Sequence, residues 1–89
     1  MYVENPTNKP TILYPIGTIC TLVDRDNFDY NTLCTIIYIE RDEEGYYYYY
    51  LLANDVNMNI HYDARFGNYF SFVNSESPYL IILNQPTTE

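Results

Sequence analysis

Five consecutive tyrosines, Tyr46 to Tyr50, run on into Leu51-Leu52-Ala53. Aromatic and β-branched side chains fit a pleated, half-buried surface, so Tyr46 to Ala53 is a strand. Before it lies Thr32-Leu33-Cys34-Thr35-Ile36-Ile37-Tyr38-Ile39-Glu40, with the same composition. Between them Arg41-Asp42-Glu43-Glu44-Gly45 is polar and closes on glycine, which reaches positive φ without steric cost where longer hairpin loops need it. A long β-hairpin at the centre of the chain is the reading that constrains everything else.

The flanks fit the same class. Gly17 opens Thr18 to Val23, an apolar and β-branched run. Tyr69 to Val73 and Tyr79 to Leu83 read as two further strands, with a turn at Asn74 to Pro78. Asn54 to Asn59 is loop-like, and Ile60-His61-Tyr62 suits a short strand or a helical turn. No stretch of ten residues carries a clean 3.6-residue apolar period, which argues against a long helix. With 89 residues and 47% apolar content, the chain suffices for one packed domain and not two. The expected fold is all-β: one small barrel or curled antiparallel sheet of five to six short strands over residues 12–83. An extended lead-in covers 1–11 and a polar tail 84–89. The Gly17-Thr18 opening, the acidic loop, the long hairpin and the short last strand resemble the rhythm of an SH3-like barrel over roughly Tyr14 to Leu83. The acidic and aromatic signature with which SH3 domains take proline-rich peptides is not present, so the resemblance implies a fold and no binding site.

Charge narrows the partners. Acids number 12 against four Lys plus Arg, a net charge of −8. Such a surface repels nucleic-acid phosphates and anionic membranes and attracts basic surfaces. Asn, Tyr and Ile, whose codons are AT-rich, abound, yet Lys9 is the only lysine, as if positive charge were disfavoured. No apolar run approaches a membrane span, and the N-terminus has no signal-peptide pattern, so a cytoplasmic protein is expected. Cys20 and Cys34, both in strand-like runs, are expected as free buried thiols.

Chemistry is sparse. Asp24-Arg25-Asp26-Asn27-Phe28-Asp29 opens like a calcium loop, but Phe28, Asp29 and Thr35 occupy the positions that need an oxygen ligand, a glycine and a bidentate glutamate. His61 is the only histidine and the cysteines are 14 residues apart, so no zinc spacing exists. No phosphate-binding glycine motif occurs, since Gly17, Gly45 and Gly67 are scattered. A Cys20 or Cys34 pairing with His61 has no local signature. No enzyme, no metal and no cofactor are expected.

What remains is surface. If Glu40 faces Tyr46 across the turn, Ile37, Ile39, Tyr47, Tyr49 and Leu51 share a core face. Ile36, Tyr38, Glu40, Tyr46, Tyr48 and Tyr50 then share the other, an aromatic strip beside acids. Tyrosine is enriched at interfaces because its ring buries area while its hydroxyl still pairs. The acids gather as Asp24, Asp26 and Asp29 in the first loop and Glu40, Asp42, Glu43 and Glu44 at the hairpin. A small barrel can place these loops at one end, where spaced carboxylates among tyrosine hydroxyls imitate phosphates. In size, charge, AT-rich composition and absence of a catalytic motif, the chain resembles the small acidic inhibitors with which phages block nucleic-acid-acting host proteins. The partner-binding residues are then Asp24, Asp26, Asp29, Glu40, Asp42, Glu43 and Glu44, with Tyr46, Tyr48 and Tyr50. The alternative is a structural or adaptor barrel whose tyrosine strip serves self-association or peptide binding. Acidic turns that only keep a hairpin soluble would look the same.

Overall fold

The computed structural model describes residues 13–23 and 32–86. These residues form seven strands: β1 (Ile19–Leu22), β2 (Leu33–Arg41), β3 (Tyr47–Ala53), β4 (His61–Asp63), β5 (Gly67–Tyr69), β6 (Ser71–Asn74) and β7 (Leu80–Asn84). The helix among the described residues is a single 3-10 turn, Val56–Met58. Five strands form one antiparallel sheet in the order β6-β3-β2-β1-β7, and β4 and β5 form a separate hairpin. The all-β expectation holds. The sheet is not closed into a barrel: β6 and β7 do not pair with each other. It curls instead. Leu22 and Val23, at the end of β1, line one groove of about 290 Å³ together with Ser71 to Val73 of β6, although β2 and β3 separate those strands in the sheet.

The central hairpin is tighter than the sequence suggests. Arg41 pairs with Tyr47, Glu40 with Tyr48, Ile39 with Tyr49 and Tyr38 with Tyr50. The Asp42 amide donates to the Tyr46 carbonyl at 2.9 Å, so the loop is Glu43-Glu44-Gly45 and not the five residues expected. The cause is Asp42. Its Oδ1 accepts the amides of Glu44 and Tyr46 at 2.9 and 3.0 Å, and Gly45 supplies φ +96°. Pairing therefore shifts by two residues, and because side chains alternate, the faces keep their assignment.

One residue departs from it. A bulge between Ile36 and Tyr38 takes up an extra residue, and Ile36 pairs with Leu51. Ile36 turns inward and is fully buried, where Ile37 was expected. Its amide and carbonyl bond Thr18 and Gly17, tying β2 to the chain just before β1. The core consists of Cys20, Leu22, Cys34, Ile36, Tyr49, Leu51, Ala53 and Phe70, with Tyr14, Ile39, Met58, Val73, Leu80 and Ile82 packed against it. Tyr49 is the largest fully buried side chain, and its hydroxyl accepts the Tyr14 amide at 2.9 Å. Removing that acceptor leaves an amide unpaired, which costs about 1 kcal/mol. Truncating the ring opens a cavity worth about 3–5 kcal/mol. Urea unfolding should show Tyr49→Phe slightly and Tyr49→Ala severely destabilised; equal losses would mean the hydrogen bond matters as much as the ring.

Cys20 and Cys34 stand directly opposite each other on β1 and β2, and both are free thiols. Burial pushes Cys20 up to about 11, and burial together with the neighbouring Cys20 pushes Cys34 up to about 12. The thiolate is the reactive form. Neither thiol should therefore react with a maleimide or disulfide reagent at pH 7 until the protein unfolds. Labelling that keeps pace with a free thiol would place them at the surface.

Candidate functional site

The second face of β2, β3 and β6 carries a row of rings. Tyr38 lies opposite Tyr50, and Tyr50 lies opposite Phe72. The Tyr50 ring meets Tyr38 edge-on at 5.9 Å and Phe72 at 4.5 Å, while Tyr48 stacks on Phe72 at 5.0 Å. This is the aromatic strip that the sequence suggests. It does not stand open, because the β4–β5 hairpin lays Phe66 and Tyr69 over it. Phe66 stacks on Tyr38 at 4.9 Å, and Tyr69 meets Tyr50 at 5.0 Å. Tyr50 is 8% exposed and is part of a second, aromatic layer, so it is not an open ring of the strip. Tyr48 is half-buried, and Tyr46, at 48%, is the exposed ring of the three. His61, the one imidazole, lies on β4 beside Tyr69 at 5.4 Å.

A guanidinium closes this layer. Arg65, at the tip of the β4–β5 hairpin, sits 4.9 Å from the Tyr38 ring centre, 5.7 Å from Tyr50 and 5.6 Å from Phe66. Its Nε and Nη2 each donate at 2.9 Å to the two oxygens of Asp63, the paired geometry that suits a planar fork. Nη2 also reaches Glu40 at 3.3 Å, and Glu40 accepts the Tyr50 hydroxyl at 2.9 Å. The hydrogen bonds from Arg65, side chain first and then amide, hold the Asp63 carboxyl down at about 2, against an ordinary 3.8. Arg65 and then Tyr50 lower Glu40, and Asp63 and then Glu40 raise Arg65.

The acids therefore divide by task. Asp42 is held by the fold. Desolvation works against its charge, but the Tyr46 and Glu44 amides and the Tyr48 hydroxyl together keep its carboxyl below the usual range. Asp55 and Asp63 build turns in the same way, accepting the amides of Asn57 and Arg65, and Asn74 accepts that of Glu76. Glu40 is committed to Arg65 and Tyr50. The carboxylates of Glu43, Glu44 and Glu76 have no hydrogen bond or ion pair among the described residues. Glu76 lies on the turn after β6, where Asn74 pairs with Tyr48 and the Ser75 amide bonds the Tyr47 carbonyl. The two turns stand side by side at one end of the sheet.

Sequence reasoning did not include Glu76, Asp63, Arg65 or Phe66 in the site. The Asp63-Ala64-Arg65-Phe66-Gly67 run does contain turn formers, an aspartate and, four residues later, a glycine. Asp24, Asp26 and Asp29 lie outside the described residues, as does the calcium-like loop they belong to. The residues flanking them, Val23 and Thr32, stand at the Leu33 end of β2, whereas the acidic turn follows Arg41 at its other end. The anchor points of the two acidic loops are thus at opposite ends of β2, not at one end. Among the described residues no three His, Cys, Asp or Glu side chains gather as a metal-holding group, and no helix is long and apolar enough to cross a membrane.

Asp63 gives a pH signature. Its folded value lies below its ordinary one, so its stabilisation is present above about pH 3.8 and is lost as pH falls through about 2. The melting temperature should drop across that window, and Asp63→Asn should flatten part of the drop while lowering stability at neutral pH. An unchanged acid slope in the variant would remove Asp63 from the account. Comparisons with protein-family models, with curated proteins and with solved structures give no match for this chain.

Proposed function

We propose that the acidic end of the sheet binds a basic protein surface. The finer reading is a phage-type inhibitor that occupies the nucleic-acid-binding surface of a host protein, acting in the host cytoplasm without catalysis or cofactor. The observation that supports it is the division of the acids. Glu43 and Glu44 at the hairpin tip and Glu76 on the adjoining turn are charges without a partner among the described residues, beside Tyr46, an exposed ring with a hydroxyl. The described cations do not offset them outward. Arg65 is bound as above, and Arg41 lies over the Tyr47 ring at 5.7 Å. The tyrosine-strip adaptor has less support, because Tyr50 is enclosed and the β4–β5 hairpin covers the row.

The test is capture from a bacterial lysate at low and high salt, with wild type and a Glu43→Lys, Glu44→Lys, Glu76→Lys variant. Asp42 stays in place because its carboxylate holds the turn. Contacts made by carboxylates with Arg or Lys weaken with ionic strength and steer association. A specific partner should be captured by wild type at low salt, be displaced by duplex DNA, and be lost in the triple variant at an unchanged melting temperature. If the variant still captures it and Tyr46→Ala with Tyr48→Ala does not, the adaptor reading replaces this one.

A further inference from the structure

Arg65 occupies a recess whose chemistry is that of a guanidinium receptor. Rings from β2, β3 and the β4–β5 hairpin flank the cation at 4.9 to 5.7 Å. Asp63 accepts two parallel N–H donors, and Glu40 and the Tyr50 hydroxyl meet Nη2 from the sheet side at 3.3 and 3.4 Å. Flat rings beside a delocalised planar cation, with a carboxylate set for its fork, suit arginine and not lysine, whose ammonium is a compact, strongly hydrated point charge. We infer that this recess is an arginine-binding site that the chain fills with its own Arg65, and that an arginine side chain of a partner can enter in its place.

Three features make exchange practicable. The side chains of Arg65 and Glu40 are 43% and 40% exposed, so an incoming side chain has access. The pair with Glu40 is exposed and long, and a displaced Arg65 is rehydrated at the surface, which offsets part of the cost of vacating the recess. The turn carboxylate stays in place meanwhile, because Asp63 also holds the Arg65 backbone amide. The inference deepens the proposed reading, in which the partner's surface is basic, by naming arginine as the residue recognised. It depends on that reading for its biological meaning alone, since the recess is tested on the purified protein.

The experiment empties the recess with Arg65→Ala and titrates in L-arginine amide, with L-lysine amide at equal ionic strength as control. Near-UV circular dichroism of the tyrosines and the melting temperature are the readouts. Arginine amide should change the tyrosine spectrum of the variant saturably and raise its melting temperature, by about 5 °C or more at tenfold excess over its Kd and further with the logarithm of concentration. Lysine amide should not, and adding Asp63→Asn should weaken the effect at least tenfold. In the wild type, NMR should show the Arg65 Nε–H resonance moving to its free position as an arginine-rich peptide is added, and not with a lysine peptide of equal charge. Equal responses to arginine and lysine, or none, overturn the inference, even if lysate capture still depends on Glu43, Glu44 and Glu76. Should Arg65→Ala not fold, Arg65→Gln keeps the apolar stem of the side chain. Should neither fold, arginine amide must restore the native tyrosine spectrum, and failure to do so overturns the inference as well.

Discussion

β3 is filled on both faces, and the rest of the molecule follows from that. Tyr49, Leu51 and Ala53 point to one side and are buried; Tyr48 and Tyr50 point to the other. A strand with bulky rings on both faces cannot belong to a one-sided sheet, because the second row would expose a continuous apolar surface. The curl of the sheet covers the first face. The second is covered by the β4–β5 hairpin, inserted between β3 and β6. Tyr50 shows how the cover is fixed, since a ring packed among Tyr38, Phe66, Tyr69 and Phe72 still carries a hydroxyl that needs a partner. Glu40 provides it, and the charge of Glu40 in turn draws Arg65 over the rings. Polar groups thus fasten an aromatic layer that dispersion alone would leave free to slide.

Turn chemistry explains part of the acidity that the sequence presents as one bulk property. Asp42, Asp55 and Asp63 each accept an amide two residues further along, which lets the chain reverse tightly with little apolar material. Counted as charge, they look like candidates for partner contact; seen in place, they are parts of the backbone's hydrogen bonding. Reversing Asp42 together with its neighbours would conflate loss of a turn with loss of an interface. Glu43, Glu44 and Glu76 carry no such double duty.

The β-class, the strands and the alternation of Tyr46 to Tyr50 were legible because each rests on local chemistry: β-branched runs, a glycine at a turn and a period of two. The loop length was not, because whether Asp42 belongs to the strand or to the loop depends on two amides its side chain captures. The bulge at Ile36 was not, because the extra residue is absorbed by contacts with Gly17 and Thr18, nearly twenty residues away. The run Tyr69 to Val73 reads as one strand, but the chain breaks at Phe70, whose amide bonds Leu51 and whose ring enters the core. The division leaves Tyr69 paired with His61 in the cover and Phe72 paired with Tyr50 in the sheet. Such a choice is tertiary, and periodicity is blind to it. The anchor points of the two acidic loops follow from strand direction: in an antiparallel meander, successive turns alternate between ends of the sheet.

That alternation bears on how the charge can act. The Debye length at physiological salt is about 8 Å, whereas the nine residues of β2 span roughly 30 Å. The tip of the central hairpin therefore lies several Debye lengths from the anchor points at the far end of β2. The net charge of −8 acts as a whole only at long range and low salt, where under the proposed reading it would speed encounter with a basic surface. At contact distance the relevant group is local: Glu43 and Glu44, Glu76 on the adjoining turn, and behind them the recess that Arg65 now fills. Arg41 and Arg65, the cations among the described residues, face rings and carboxylates of their own chain. Under the reading proposed above, an arginine arriving at this end, with its planar fork and weak hydration, would give up less water than a lysine.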